Sequence, residues 1–410
     1  LWGKLMNKKI SLGITIGLMA LAAAVTFIFT YNFSLNVFNS KVKSVSEKES
    51  IYAKLSEMDK YVRANFISDI DEAALNNSIM SGYASGLNDR YAQYYSAEEY
   101  AQQTQKESGV AIGLGFNWDK EESGYIKIVS VMANSSADRA GLVAGDVITA
   151  VNNTDVIAYE NGYDEAVSLF NCDEGTKVKL HIKRLNEEGV SEFFPVEVVS
   201  EKTEIISVTG RLIDNIAYIK ISTFNEKTPD QFGNMLNRLI SDGAEMAVFD
   251  VRDNLGGLTT SLQLTLDCIL GDCDVVTAYY KDKSETVIHT TEAEQIKMPM
   301  VVLVNGGTAS CSELFAFALR DEANAQIVGT QSYGKGVMQK THKLMGGAAI
   351  KITVATLQTK NSGDYNGTGI KPNFEVALPA EVDLTVLSED DQLLYDNQLV
   401  KAIEVVSTIR

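Results

Sequence analysis

The apolar positions of this chain change their period several times, and each change marks an element. From Ile10 to Phe29 about twenty residues pass without a charge, long enough to span a bilayer as a helix. Between residues 40 and 107 the spacing opens to three- and four-residue steps. Ile51, Leu55, Met58, Val62 and Phe66 form one stripe, continued by Ile79, Tyr83 and Leu87, as on amphipathic helices. Leu87-Asn88-Asp89 with Tyr91, Tyr94 and Tyr95 reads as a turn-rich link. From 108 to 200 short β-type runs take over: Tyr125–Val131, Val147–Val151, Lys177–Ile182 and Phe193–Val199, with glycine turns between them and one helical pattern at Gly162–Phe170. From 203 to 380 strands and helices alternate. Strands are predicted at Ile216–Ile221, Met246–Val251, Met300–Val304, Gln326–Thr330 and Ala348–Leu357. Helices are predicted at Thr228–Ile240, Thr259–Leu270 and Ser310–Glu322. That alternation predicts an α/β sheet with crossover connections, and in such sheets sites form beyond the carboxyl ends of strands. In the tail, Asp390-Asp391-Gln392-Leu393 leads to Leu399, Ile403 and Val406 at helical spacing, which closes the domain or meets a partner subunit.

The pattern divides a multidomain α/β chain into a cytoplasmic stub and membrane helix (1–39), a helical region (40–107), a β domain (108–200), an α/β core (201–385) and a C-terminal helix (386–410). The 410 residues suffice for two or three domains with cores of their own. Lys4, Lys8 and Lys9 precede the apolar run, so the positive-inside rule puts the N-terminus in the cytoplasm and the bulk outside. Ala22-Ala23-Ala24 resembles a cleavage site, but apolar residues continue through Phe29, which favours an uncleaved single-pass anchor in the cell membrane. The net charge of −18 argues against nucleic acid as a partner, because phosphate binding needs a basic face. The four cysteines, Cys172, Cys268, Cys273 and Cys311, are too few for a disulfide framework. The three histidines are scattered and no cluster has zinc-ligand spacing, so no metal or organic cofactor is expected.

In the β domain, Gly113-Leu114-Gly115-Phe116 resembles the Gly-Leu-Gly-Phe carboxylate-binding loop of PDZ domains. Ser136–Ile148, with its Ala-Gly-Leu-x-x-Gly-Asp-x-Ile stretch and the Val151-Asn152 that follows, resembles the second PDZ motif. Glycines there let successive backbone N–H groups point into one space, and a peptide can add as a strand to the sheet edge. The two motifs in the right order predict a PDZ β-sandwich or barrel. Its expected ligand is the C-terminal tail of a protein or peptide.

The candidate chemistry lies in Met300–Gln339. An apolar strand breaks at Asn305-Gly306-Gly307. A small-residue run, Thr308 to Ser312, opens a helix, and Lys335 stands between Gly334 and Gly336 four residues before Gln339. Ser310 at a strand-to-helix turn would have the Cys311 N–H and the helix N-terminus facing an oxyanion. Without a histidine in a recognisable motif, the proton of a nucleophilic serine needs another acceptor, and a neutral lysine can serve. Holding a lysine neutral near pH 7 means lowering its pKa by roughly 3 units from about 10.4, which burial can supply. Local physics leaves a second reading open: Ser310-x-x-Glu313 fits a helix capping box, and Lys335 fits a surface turn.

Asp250–Leu258, Val301–Glu313 and Gly329–Gln339 resemble the three motif blocks of the carboxyl-terminal processing peptidases, the tail-specific protease family. The order of anchor, helical region, PDZ domain, α/β core and C-terminal helix is similar too. The spacings of 25 from Ser310 to Lys335 and 4 from Lys335 to Gln339 match that family's Ser-Lys-Gln arrangement. The resemblance implies a protease core of ClpP/crotonase-like type and a serine endopeptidase. Ser310 would be the nucleophile, Lys335 the general base and Gln339 its positioning partner. Gly256 and the Cys311 amide would form the oxyanion hole, with Gly257 the other candidate glycine, because Asn254-Leu255-Gly256-Gly257 replaces the commoner Asn-Pro-Gly-Gly. Cys311 replaces the usual alanine, and Asn171-Cys172 stands where relatives often carry Arg-Gly. A homodimer is among the expected states. The rival class is a PDZ-type adaptor on a catalytically weak protease-like core. A penicillin-recognising enzyme is set aside, since the Ser-x-x-Lys from Ser40 to Lys43 is juxtamembrane and Lys-Thr-Gly is absent.

Overall fold

The computed structural model describes residues 12–409 apart from 187, 291–294, 360, 362, 385, 386 and 388; Lys4, Lys8, Lys9 and Ile10 lie outside the described residues. Two compact units, 1–76 and 77–410, are each considered by themselves.

In the first unit the helix Leu12–Asn65 runs 54 residues without a break, straight through the boundary expected at 39. After Gly17 it contains neither glycine nor proline, so nothing in the sequence ends it. Its segment Thr15–Ser34 has mean hydropathy 1.8 and is wholly unburied. It is long and apolar enough to cross a membrane or to serve as a signal sequence.

In the second unit, the β domain has a six-stranded antiparallel sheet with five strands in the order Phe116–Lys120, Ile126–Val131, Val147–Val151, Lys177–Leu185, Ser191–Val199, and Thr154–Asp155 paired to Val147–Val151. Ile126 and Ile128, then Leu180 and Ile182, point into one core at the two-residue period of half-buried strands. Phe116–Lys120 is an edge strand and so keeps one side open for pairing.

The α/β core carries a six-stranded sheet ordered Val208–Ile213, Ile216–Ile221, Met246–Asp250, Met300–Val304, Gln326–Gly329, Phe374–Glu375. The first pair is antiparallel and the rest are parallel. Val301 to Val304 are all fully buried, as a parallel strand covered on both faces demands. Val302 and Val304 pack with the helices Thr228–Ser241, Thr259–Asp267 and Cys311–Ala323. Val301 and Leu303 face the C-terminal helix Asn397–Thr408 through Leu399, Ala402, Val405 and Val406. A second sheet joins Gln93–Tyr95, Ala349–Thr359, Cys273–Tyr280 and Glu285–Thr290, with Val337–Lys343 also paired to Ala349–Thr359.

The hairpin of Cys273–Tyr280 and Glu285–Thr290, and the strand Val337–Lys343, were not expected from the sequence. The expected link around Leu87–Tyr95 is corrected as well. Its end, Gln93–Tyr95, is a strand with Tyr95 opposite Ala349. The partner lies some 250 residues away, so no local period announces it.

Beneath the sheet, a buried cluster ties the tail to the end of the Met246–Asp250 strand. Arg252 pairs with Asp250 at 2.6 Å and Asp396 at 2.8 Å, while Tyr218 donates to Asp250 at 2.7 Å and Arg252 donates to Gln398 at 3.0 Å. Despite burial, which pushes the other way, the Arg252 guanidinium holds the Asp250 carboxyl below its usual range. Every member has a partner, which such a cluster needs in order not to be destabilising.

Candidate active site

Ser310 is the first turn-forming residue of the Cys311–Ala323 helix, with φ 57° and ψ −119°. A non-glycine residue there is strained, and the surrounding bonds over-determine it. Ala309 N–H donates to the Asn254 carbonyl at 3.0 Å, and Thr308 Oγ1 to the Val251 carbonyl at 2.9 Å. Ser310 stands in capping-box geometry with Glu313. One limb of that box runs from Ser310 N–H to Glu313 Oε2 at 2.9 Å.

Glu313 does far more than box the helix. It is fully buried and accepts from Ser310 N, from Lys335 N at 2.8 Å, from Gly334 N at 2.7 Å and from Ser332 Oγ at 2.5 Å. One carboxylate thus fastens the serine turn to the lysine loop. The sequence signalled this residue only as the third position of a box.

Gly256 and Gly257 differ in what their amides meet. Gly256 N–H donates to Asn254 Oδ1 at 2.9 Å and so is occupied. Gly257 lies in a bridge beside Phe224 whose bonds use the Gly256 carbonyl and the Leu258 amide. Among the described residues the Gly257 N–H meets no acceptor, and Cys311 N–H, at the helix start, has none within its helix. Gly256 has another task. With φ 98°, a Cβ on it would come within 3.0 Å of Ser310 Cβ and Cys311 N, so only glycine allows this approach. Cys311 is buried, donates its thiol to the Gly257 carbonyl at 3.3 Å, and is pushed up to about 11 by burial.

Ser310, Cys311, Gly257, Lys335 and Gln339 line one cleft of about 690 Å³. Lys335 is half-buried, and its amine sits 4.8 Å from the centre of the Tyr91 ring. Burial pushes its pKa down, and the positive charges of Lys351 and Arg90 push the same way, against Cys311 and Glu313. Gly334 and Gly336 fit because the 366–369 turn packs against them; a Cβ on either would collide with backbone there. Gln339 does not reach Lys335 by a hydrogen bond. Its amide donates to Thr353 Oγ1 at 3.2 Å, and Thr353 donates from N and Oγ1 to Asp89 at 2.9 and 3.1 Å. Lys335 precedes the strand that begins at Val337, and a bulge falls between Met338 and Gln339. Asp89, Arg90 and Tyr91 lie next to the lysine without any sequence signal.

In the PDZ domain the carbonyls of Leu114 and Gly115 turn inward. Leu114 O accepts from Ala137 N at 3.2 Å, and Gly115 O from Met132 N at 2.8 Å and Ser135 Oγ at 3.1 Å. Gly113 ends the Val110–Gly113 strand, and Leu114 and Phe116 are buried in the domain core. Gly115 has φ 91°, and a Cβ on it would strike Ser135.

A strained serine at a helix start, backbone amides beside it and a half-buried lysine share one cleft, the groups that a serine peptidase uses. A family profile for Peptidase family S41 matches residues 215–376, and a PDZ-domain profile matches residues 127–184. The chain is 30% identical over 372 residues to the carboxy-terminal processing protease CtpA of Bacillus subtilis (strain 168), covering 90% of this chain and 77% of that protein. It is 28% identical over 396 residues to a probable CtpA-like serine protease of Staphylococcus haemolyticus (strain JCSC1435), covering 95% and 77%. A solved structure of the photosystem II D1 C-terminal processing protease aligns with TM-score 0.45 at 23% identity, covering 79% of this chain and 87% of that one. The chain belongs to the carboxy-terminal processing serine proteases of peptidase family S41.

Proposed function

We propose that this protein is a membrane-anchored endopeptidase acting outside the cytoplasm, which holds the C-terminal tails of proteins and cuts them with a Ser-Lys site. Ser310 Oγ attacks the scissile carbonyl and passes its proton to neutral Lys335. The oxyanion is met by the N–H groups of Gly257 and Cys311, with Gly256 allowing the close approach. The protonated lysine then gives its proton to the leaving amine, and water releases the acyl group by the same route. Gln339 acts at one remove, through Thr353 and Asp89, to set the wall against which Lys335 packs.

The observation that carries this reading is the strained Ser310 in one cleft with a lysine whose surroundings disfavour its charge. Tail capture is supported by the open edge of Phe116–Lys120 beside Gly113-Leu114-Gly115-Phe116, which can take a peptide as an added strand. The anchor is supported by Thr15–Ser34 and the preceding lysines. A ClpP/crotonase-like core is supported by the pairing of a largely parallel sheet with a second, antiparallel one.

The test is cleavage of a protein bearing an unstructured apolar tail. The wild-type chain should shorten it, Ser310→Ala should lose at least about 10⁴-fold in kcat/KM, and Gly115→Val should lower kcat/KM chiefly through KM. Tail binding without cleavage by the wild type would instead establish the adaptor.

A further inference from the structure

Beside the main cleft lies a smaller pocket of about 240 Å³, lined by Arg90, Tyr91, Gln93, Lys335, Gln339 and Lys351 among others. It shares Lys335, Gln339 and Lys351 with the cleft, so an occupant would sit against the lysine assigned above as the base. Three cations from three separate elements meet here. Arg90 donates to the Tyr333 hydroxyl, and its guanidinium lies 4.8 Å from the Tyr91 ring centre and 5.1 Å from that of Tyr333. Lys335 lies 4.8 Å from the same Tyr91 ring. Lys351 donates to the Tyr95 hydroxyl at 2.6 Å.

Every one of these partners is a neutral aromatic. Among the described residues none of the three cations pairs with a carboxylate, although the chain holds 54 acidic residues against 36 basic ones. The nearby carboxylates are already engaged: Asp89 accepts from Thr353 and from Tyr91 N at 3.0 Å, and Glu313 accepts its four bonds. Like charges gathered without counter-ions repel one another, and a low-dielectric wall strengthens that repulsion. Such a cluster is complementary to an anion small enough for the pocket.

We propose that this pocket is a carboxylate site, filled by the fresh α-carboxylate of the cleaved chain or by an acidic side chain next to the scissile bond. The proposal rests on the Ser310–Lys335 reading and adds a control to it. The groups facing Lys335 are Arg90 and Tyr91 from one segment, Lys351 from the Ala349–Thr359 strand, and Cys311 and Glu313 from the helix. Arg90 and Lys351 favour the neutral amine. A bound carboxylate would offset them, keep Lys335 charged and so withhold the base. Released product thereby slows the next turnover until it leaves.

The experiment uses the full chain and a fluorogenic peptide without acidic residues and with an amidated C-terminus. The N-terminal cleavage product is added as the free acid or as its carboxamide. The acid should inhibit about tenfold more tightly than the amide and move the rising limb of kcat/KM to higher pH. Both differences should fall within about twofold in Arg90→Gln and in Lys351→Gln, each variant being compared only with itself. A matched pair of substrates with Glu or Gln beside the cut reports the side-chain source. A Glu preference lost in the same variants assigns it there too. Equal inhibition by acid and amide with no Glu preference would overturn the proposal. So would an acid preference that survives both substitutions, since it would belong to the PDZ loop. If the wild type cleaves no peptide, the catalytic reading fails on its own. Calorimetric titration of free acid and amide into Ser310→Ala then still decides the pocket, equal affinities counting against it.

Discussion

The two halves of the cleft are built on different principles. The serine half is held by a dense set of bonds: Ser310 N, Gly334 N, Lys335 N and Ser332 Oγ all converge on the buried Glu313, and Asn254 holds Gly256 and Ala309 in place. The lysine half is open by comparison. The amine of Lys335 makes no hydrogen bond among the described residues and rests on the face of Tyr91, a residue from a remote segment. In the proposed mechanism the nucleophile is thus held by geometry and the base is tuned by its surroundings. Preorganised donors cost little at the moment of reaction, whereas a base must be free to gain and lose a proton. Damage to the first half should cost folding as well as rate, and changes in the second should alter rate or its pH dependence while leaving the fold intact.

The sharpest break of that comparison is Lys335→Met. Peptide cleavage should fall by about 10³-fold or more, yet thermal unfolding should move upward. The sign follows from the lowered pKa. Below the folded-state pKa the amine is charged in both states, and the folded state bears the full penalty of housing that charge. Methionine removes the penalty, and the gain should shrink as pH rises toward the ordinary lysine range. A lower melting temperature at neutral pH would contradict an unclamped lysine.

Glu313→Gln should act on both properties. An amide N–H₂ would face donors that now meet a carboxylate oxygen, so kcat should drop about 10²-fold and unfolding free energy by about 1–3 kcal/mol. Steady-state kinetics with denaturant unfolding measures both, and loss of rate without loss of stability would move Glu313 into the tuning half.

The smallest effect belongs to Lys351→Met. Removing that positive charge lets the Lys335 pKa rise, so the rising limb of the pH–rate profile should shift to higher pH with the plateau rate nearly unchanged. An unshifted limb would mean that burial alone sets the base.

Much of this was legible in the chain, for reasons that can be named. The strand Met300–Val304 is five buried apolar residues, and the helix after it begins at the small residues that a strand-to-helix turn requires. Gly115 and Gly256-Gly257 were legible as turns because their positive φ and close neighbours favour glycine. What stayed hidden depends on distant pairing. Tyr91 reaches Lys335 because Gln93–Tyr95 joins the Ala349–Thr359 strand, and Asp396 reaches Arg252 because the tail folds back beneath the sheet. The bond that occupies the Gly256 amide comes from the Asn254 side chain, which no motif encodes. Gln339 kept its place in the cleft but not its expected contact, its amide going to Thr353.

The central claim is that Ser310 is a nucleophile made reactive by Lys335. Treating the full chain with a serine-reactive fluorophosphonate and mapping the adduct by mass spectrometry tests it directly. The account predicts a single adduct at Ser310, formed faster as pH rises and lost in Lys335→Met although that variant stays folded. Labelling of Ser310 that is undiminished in Lys335→Met, or an adduct on another serine while Ser310 stays free, would contradict it.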